Sequence, residues 1–409
     1  MKVLYDHQAF TFQRFGGVSK CFCELISNMP NNVEAIIAVK ESDNVHLRES
    51  HLIPEVGKPT MGLRIWKQMF PFRGSGAIYR SLQNVGLLST MEKKNEQCSI
   101  KLIREGDFDV FHPTFFDPYF LRYIGDKPWV ITVHDMMPEL FPEFFGSRNE
   151  QIVFKQKYLS KASAIIAVSE QTKADIVRLL DLPEERITVI YHGGPEKENI
   201  KGKSLVDSPY FLYVGTRDAY KNFPQTLVDF SEFHTSHPEV KLVCTGGDFT
   251  KVELAMIERL NIVNDIIHIH ANGNEMKMLY AHAIAFVYPS LYEGFGMPIL
   301  EAFAYGCPVL LNNRSCFPEI AAEAGLYFDS EPGKSNLIEV MEYVYSVSAT
   351  ERQQIISKGY LRLDDFSWKK SAEKLADVYR NVCRKSCGGG NERPLIMTLY
   401  SYSSLVQTA

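Results

Sequence analysis

The stretch Ser290-Leu-Tyr-Glu-Gly-Phe-Gly-Met-Pro-Ile-Leu-Glu301 sets the terms for the whole chain. An apolar run, Ile284-Ala-Phe-Val-Tyr288, precedes it, and a second, Pro308-Val-Leu-Leu311, follows it. Continuous apolar runs of this length read as strands buried on both faces, as in a parallel sheet. Between them, Pro298 to Tyr305 reads as a short helix, with Pro298 suited to its first position and Gly306 to the residue just past its end. Strand, turn, helix and strand make a βαβ unit. In open sheets built from such units, ligands gather outside the carboxyl ends of the strands.

The turn carries Glu293, and Glu301 sits about one turn into the helix. Gly294 and Gly296 allow the backbone to come close to a ligand. The N–H groups at the helix start, from Phe295, Gly296 and Met297, suit an anion or an electron-rich oxygen. A carboxylate on such a helix accepts hydrogen bonds from a diol such as a ribose. Taken singly, Glu293 reads as a complement to the helix dipole and Glu301 as part of a solvated face.

Taken together, Glu-Gly-Phe-Gly-Met-Pro and Glu301 resemble the Glu-x7-Glu signature of retaining GT-B glycosyltransferases, in particular the sugar-nucleotide-dependent family 4. The resemblance implies two facing Rossmann-like domains with mostly parallel sheets. It also implies transfer of a hexose from a nucleotide diphosphate sugar to a saccharide or lipid-linked acceptor; no metal ion or cofactor is expected, because Arg217, Lys221 and the helix-start N–H groups can take the place of a metal at the diphosphate.

Length and composition agree with this frame. A chain of 409 residues that is 45% hydrophobic is long enough for two cores. A formal charge of −5 argues against a nucleic-acid partner. No apolar run is long enough to span a bilayer. Met1-Lys-Val-Leu-Tyr-Asp6 reads as a first strand and not as a signal peptide. The eight cysteines show no paired zinc spacing and read as reduced thiols of a cytosolic protein.

Two runs of alternating strand and helix follow along the chain. The expected boundaries are 1–193 for an acceptor-side domain, 209–364 for a nucleotide-sugar domain, a returning helix over 367–385, and a tail over 386–409. Gly16 and Gly17, between the first strand and first helix, suit a tight turn or a backbone approach to a phosphate. The resemblance favours the second. Asp107-Phe-Asp109 has the form of a metal-binding pair, but it precedes its strand and so lies at the wrong end of the sheet.

His134 follows the strand Trp129–Val133 at its carboxyl end, and the aromatic segment Pro138–Phe145 is expected as a loop over an acceptor. A lone His there reads as a loop cap; the resemblance makes it a contact to the donor sugar or to the acceptor side. Ser169 reads as a helix cap near the site. In the second half, Arg217 and Lys221 follow the strand Tyr210–Val214 and share a face if their turn is helical. Two cations there suit a diphosphate, and the frame resembles the family's Gly-x-Arg…Lys-Asn signature. His268 and His270 read as structural.

The stretch 61–80 mixes Arg64, Lys67, Arg73 and Arg80 with Trp66, Phe70 and Phe72. It suits either an anionic membrane surface or a partly buried helix pair with solvated arginines. The family's frequent use of lipid-linked acceptors adds weight to the first, and so to a protein at the inner face of the membrane. The sequence does not identify the donor sugar, since sugar choice rests on a few hydroxyl contacts; for this chain mannose from GDP-mannose is favoured, with UDP-linked glucose or N-acetylglucosamine as rivals. A sugar-nucleotide epimerase, a pyridoxal-dependent phosphorylase and a non-catalytic nucleotide-sugar-binding subunit are the other readings.

Overall fold

The computed structural model describes residues 1–54, 56–58, 90–145, 149–331 and 333–386. The stretch 61–80 and the tail beyond Ser386 lie outside the described residues.

The first half holds β1 (Lys2–Tyr5), β2 (Glu34–Ile37), β3 (Val110–His112), β4 (Val130–Val133), β5 (Ala164–Ala167) and β6 (Ile187–Val189). They form two parallel three-stranded sheets, β2-β1-β3 and β4-β5-β6, linked by a parallel bridge from Phe111 to Trp129. β4 is buried along its whole length, as its unbroken apolar sequence requires. The two short helices Met137–Leu140 and Pro142–Phe145 replace the expected aromatic loop. Pro138 and Pro142 stand at their starts, where a missing N–H does no harm, and Asp135 accepts from Met137 N at 3.0 Å.

The second half is one parallel sheet of six strands: β7 (Tyr210–Tyr213), β8 (Lys241–Thr245), β9 (Ile266–Ile269), β10 (Phe286–Tyr288), β11 (Val309–Asn312) and β12 (Gly325–Phe328). Its order is β12-β11-β10-β7-β8-β9, so the direction of travel reverses between β7 and β10. That reversal opens a crevice at the carboxyl ends of two neighbouring strands. A small antiparallel hairpin, β13 (Ser330–Glu331) and β14 (Lys334–Ser335), follows β12.

The last helix, Trp368–Ser386, returns to the first half. Its buried residues Ala372, Leu375, Ala376, Tyr379 and Val382 recur every three or four positions and pack with Val3, Tyr5, Phe22 and Val110. Tyr379 OH lies 3.0 Å from Tyr5 OH and 2.5 Å from His112 Nδ1. The two connections between the halves cross at close range. A Cβ on Gly193 would lie 2.2 Å from Trp368 N, and one on Gly194 would lie 2.3 Å from Leu363 Cδ1.

Candidate active site

Both turns at the strand reversal are fixed by backbone contacts. The turn after β10 is tied down by Asn312, whose buried amide donates to Pro289 O, Ser290 O and Ser330 O. Leu291 N donates to Tyr220 O at 2.8 Å, joining it to the turn after β7. Ser315 Oγ donates to Glu293 O at 2.7 Å and accepts from Glu293 N at 3.2 Å. Gly296 has φ 87°, the left-handed region that glycine occupies without penalty, and it opens the helix Met297–Ala304.

The carboxylates of this turn each meet a lysine. Lys221 Nζ lies 2.5 Å from Glu293 Oε1, and the two side chains are 16% and 11% exposed. Lys20 Nζ lies 2.7 Å from Glu301 Oε1, with side chains 31% and 25% exposed. Lys20 belongs to the helix Gly17–Ser27 of the first half, so this pair spans the junction between halves. Gly17 faces the same place, since a Cβ there would come within 3.1 Å of Met297 Cε, whereas one on Gly16 would strike the Gln13 side chain. A cavity of about 720 Å³ opens beside the pair, with Lys20, Glu301, Met297, Gly193 and Trp368 among its walls.

Arg217 and Lys221 are not brought to one carboxylate. Arg217 Nε donates to Glu253 at 2.8 Å, and its guanidinium also meets Gly247 O and Asp248 O. It lies over the Phe249 ring at 4.6 Å. The turn Ala219–Lys221 is a single 3-10 turn that starts after Arg217, so the two cations do not share a helix face.

His134 stands at the carboxyl end of β4, and its Nε2 is buried without a protein partner. Burial drives its pKa down to about 4, so the imidazole is neutral near pH 7. Lys155 steadies the adjoining loop: its buried ammonium donates to Asp135 O at 2.8 Å and to Glu139 at 3.0 Å. Gly294 packs against this loop, because a Cβ on it would lie 1.8 Å from His134 O. The close approach expected of Gly294 is thus made to the other half of the protein. Across the same junction Ser169 Oγ donates to Gly294 O at 2.6 Å, while also capping the helix Glu170–Leu180.

Asp107 and Asp109 lie beside Lys2 at the amino end of β3, with Asp107 paired to Lys2 Nζ at 2.7 Å. Among the described residues, two groups have ligand atoms close enough to hold a metal ion: Cys21, His134 and His192, and Asp248, His268 and His270. In the first, Cys21 Sγ and His192 Nδ1 are already 3.3 Å apart, and burial raises the thiol pKa. In the second, His270 contacts Asp248 at 2.9 Å and His268 contacts Gly246 O at 3.2 Å. In the first group Cys21 and His192 thus meet each other while His134 Nε2 has no protein partner, and in the second both histidines have protein partners.

Lys20, Lys155 and Glu319 were not legible as site residues. Lys20 alone carried a faint signal, being three positions beyond the glycine pair. Glu319 accepts from Glu170 N and Gln171 N across the junction, a contact that no local pattern announces.

Comparison with known proteins supports the same assignment. Residues 196–362 match the family described as Glycosyl transferases group 1, and residues 94–194 match Glycosyltransferase Family 4. The O-antigen chain mannosyltransferase RfbU of Salmonella typhimurium is 29% identical over 206 residues, covering 50% of this chain and 58% of that protein. O-antigen chain mannosyltransferase B of Escherichia coli is 28% identical over 291 residues, covering 66% of this chain and 74% of that protein. Anabaena Alr3699/HepE, solved with UDP and glucose, superposes with a TM-score of 0.64 at 16% identity, covering 93% of this chain and 100% of that one. Sucrose-phosphate synthase from Thermosynechococcus elongatus gives a TM-score of 0.66 at 17% identity, covering 93% and 98%. At such identities the structural likeness shows the fold, which is GT-B. With both family matches falling on either side of one junction and the paired glutamates on the second, the chain belongs to the group 1, family 4 glycosyltransferases.

Proposed function

We propose that this protein is a retaining, metal-independent hexosyltransferase that moves mannose from GDP-mannose to a saccharide or lipid-linked saccharide acceptor. The observation that carries the reading is the pair of lysine–glutamate contacts, Lys221–Glu293 and Lys20–Glu301, on one turn and helix at the strand reversal. A donor would exchange into both. Its diphosphate draws Lys221 from Glu293, which is then free to accept from hydroxyls of the sugar. Its ribose takes the place of Lys20 at Glu301.

Chemistry follows from these exchanges. The bond from the anomeric carbon to the diphosphate breaks, and a bond to the acceptor hydroxyl forms on the same face. The acceptor's proton passes to the departing phosphate oxygen. Lys221, the N–H groups of Phe295, Gly296 and Met297, and Arg217 once turned from the Gly247 and Asp248 carbonyls, stabilise the charge that develops on the diphosphate. Neutral His134 offers a hydrogen bond to the sugar or its leaving oxygen.

Two relatives named O-antigen chain mannosyltransferases support mannose and a polysaccharide product. The neighbour solved with UDP and glucose keeps UDP-linked donors as rivals. No helix among the described residues is long and apolar enough to cross a membrane. Attachment to the inner membrane face through residues 61–80 is part of the proposal.

A thermal-shift screen of GDP-mannose, UDP-glucose and UDP-N-acetylglucosamine tests the donor, since a specific ligand raises the midpoint by mass action. We expect GDP-mannose to give the largest shift, and GDP release to require an acceptor saccharide. GDP-mannose binding with no acceptor-dependent release would remove the transferase reading.

A further inference from the structure

The turn that carries Glu293 is held from the opposite half of the chain. Ser169 Oγ donates to Gly294 O at 2.6 Å, and Thr172 Oγ1 donates to the same oxygen at 3.3 Å. Both residues are fully buried. Tyr292 OH donates to Asp175 Oδ2 at 2.8 Å, on the same helix. Glu319 makes the return contact, its carboxylate accepting from Glu170 N at 2.7 Å and Gln171 N at 3.1 Å. These are the first N–H groups of that helix, which lack partners within it.

We propose that Ser169, Thr172 and Asp175 are positioning residues: they form a cradle that brings Glu293 and the Phe295 N–H to their working places only when the two halves close. The peptide plane explains the reach of so small a contact. Gly294 O and Phe295 N–H belong to one trans peptide and point in opposite directions. Holding the carbonyl on the helix Glu170–Leu180 therefore aims the Phe295 N–H away from it. Glu293 is one residue upstream, fixed on its other side by Ser315.

The cradle separates two functions of the site. Arg217, Lys221 and Glu301 all belong to the second half, so a nucleotide diphosphate meets them without the cradle. Sugar transfer, which uses Glu293 and the turn amides, needs it. The proposal rests on the transferase reading for the meaning of the working place, but the docking itself is measurable without any substrate.

Ser169→Asp is the decisive variant. Aspartate caps a helix as well as serine does, but it sets a carboxylate against the Gly294 carbonyl in place of a donor. Amide hydrogen exchange over residues 290–301 is expected to quicken, with calorimetric affinity for GDP and UDP falling about tenfold less than turnover does, because Arg217, Lys221 and Glu301 still meet the nucleotide. Turnover is expected to fall on the order of a hundredfold, as for a small misplacement of reacting groups. Ser169→Thr, which keeps the donor, restores exchange and turnover. Tyr292→Phe removes one hydroxyl and keeps the ring, so it gives the same pattern at smaller amplitude and guards against a misfolded Ser169→Asp. Unchanged exchange in both Ser169→Asp and Tyr292→Phe overturns the proposal, as does a loss of nucleotide affinity equal to the loss of turnover. A wild-type protein that binds nucleotide sugars but transfers nothing removes the transferase reading instead, and the exchange data still decide the cradle.

Discussion

Lys221 and Glu293 are 72 positions apart in sequence, yet their charged atoms lie 2.5 Å from each other where the strand order reverses. Each comes from the turn after one of two neighbouring strands, β7 and β10. The pair therefore registers the topology of the sheet as well as the chemistry of the turn, and it gives the site a resting state in which both charges are already neutralised.

The two glutamates are expected to fail in different ways. Glu301→Ala removes a hydrogen bond remote from the breaking bond, worth roughly 1.5–3 kcal/mol, so free nucleotide diphosphate should bind about ten- to a hundred-fold more weakly. Glu293→Gln keeps shape and loses charge, so kcat should fall while the nucleotide binds nearly as before. Calorimetry with initial rates reads both. Unchanged affinity in the first, or unchanged kcat in the second, removes that residue's role.

Lys20→Met removes the competitor for Glu301. The pair is partly exposed, and such contacts contribute less than about 1 kcal/mol. Nucleotide affinity is thus expected to rise by no more than about fivefold, with the effect fading at high salt. Weaker binding in this variant would mean that Lys20 itself holds the nucleotide.

Gly294→Ala tests the junction. Its new methyl carbon would lie 1.8 Å from His134 O, a backbone atom that cannot turn aside. Overpacking of this kind costs about 1–3 kcal/mol. A lowered thermal midpoint together with lost turnover is expected; a wild-type midpoint would show that the halves part freely.

Burial lowers the pKa of His7, His112, His134 and His192, with His134 at about 4 and His112 at about 3. His112, His134 and His192, which carry the large shifts, are neutral when folded and take up protons on unfolding below about pH 6.5. Stability should therefore decline as pH falls from about 6.5 toward 4, with a limiting slope near 1.4 kcal/mol per pH unit for each such histidine. Urea midpoints at pH 7, 6 and 5 measure it. His134→Asn should flatten the slope.

Turnover is expected to persist in excess chelator, because Lys221, Arg217 and the turn amides carry cationic and N–H groups for the diphosphate. Activity that vanishes with chelator and returns with manganese would reverse this.

Much of the frame was legible because it rests on local pattern. The apolar runs around Tyr288 and Leu311 require buried strands, and Gly296 and Pro298 mark a turn into a helix. What escaped depends on the approach of distant segments. Nothing near Lys20 announces Glu301, and nothing near Glu319 announces the end of the helix at Glu170. Arg217 was placed at the right strand end, but its direction is decided by Glu253 and the carbonyls of Gly247 and Asp248. Lys155 resembles any solvated helix lysine until tertiary packing buries it.

The returning helix Trp368–Ser386 also bears on how the protein is made. Tyr5 and Tyr379 meet although 374 positions separate them, and Leu375 and Val382 share a core with Val3. As the chain leaves the ribosome, the face of β1 and β3 that this helix covers stays open until the whole second half, β7 to β14, has been made. The first half thus waits, with an apolar groove exposed to chaperones and neighbouring chains, for a segment that emerges only after the second half.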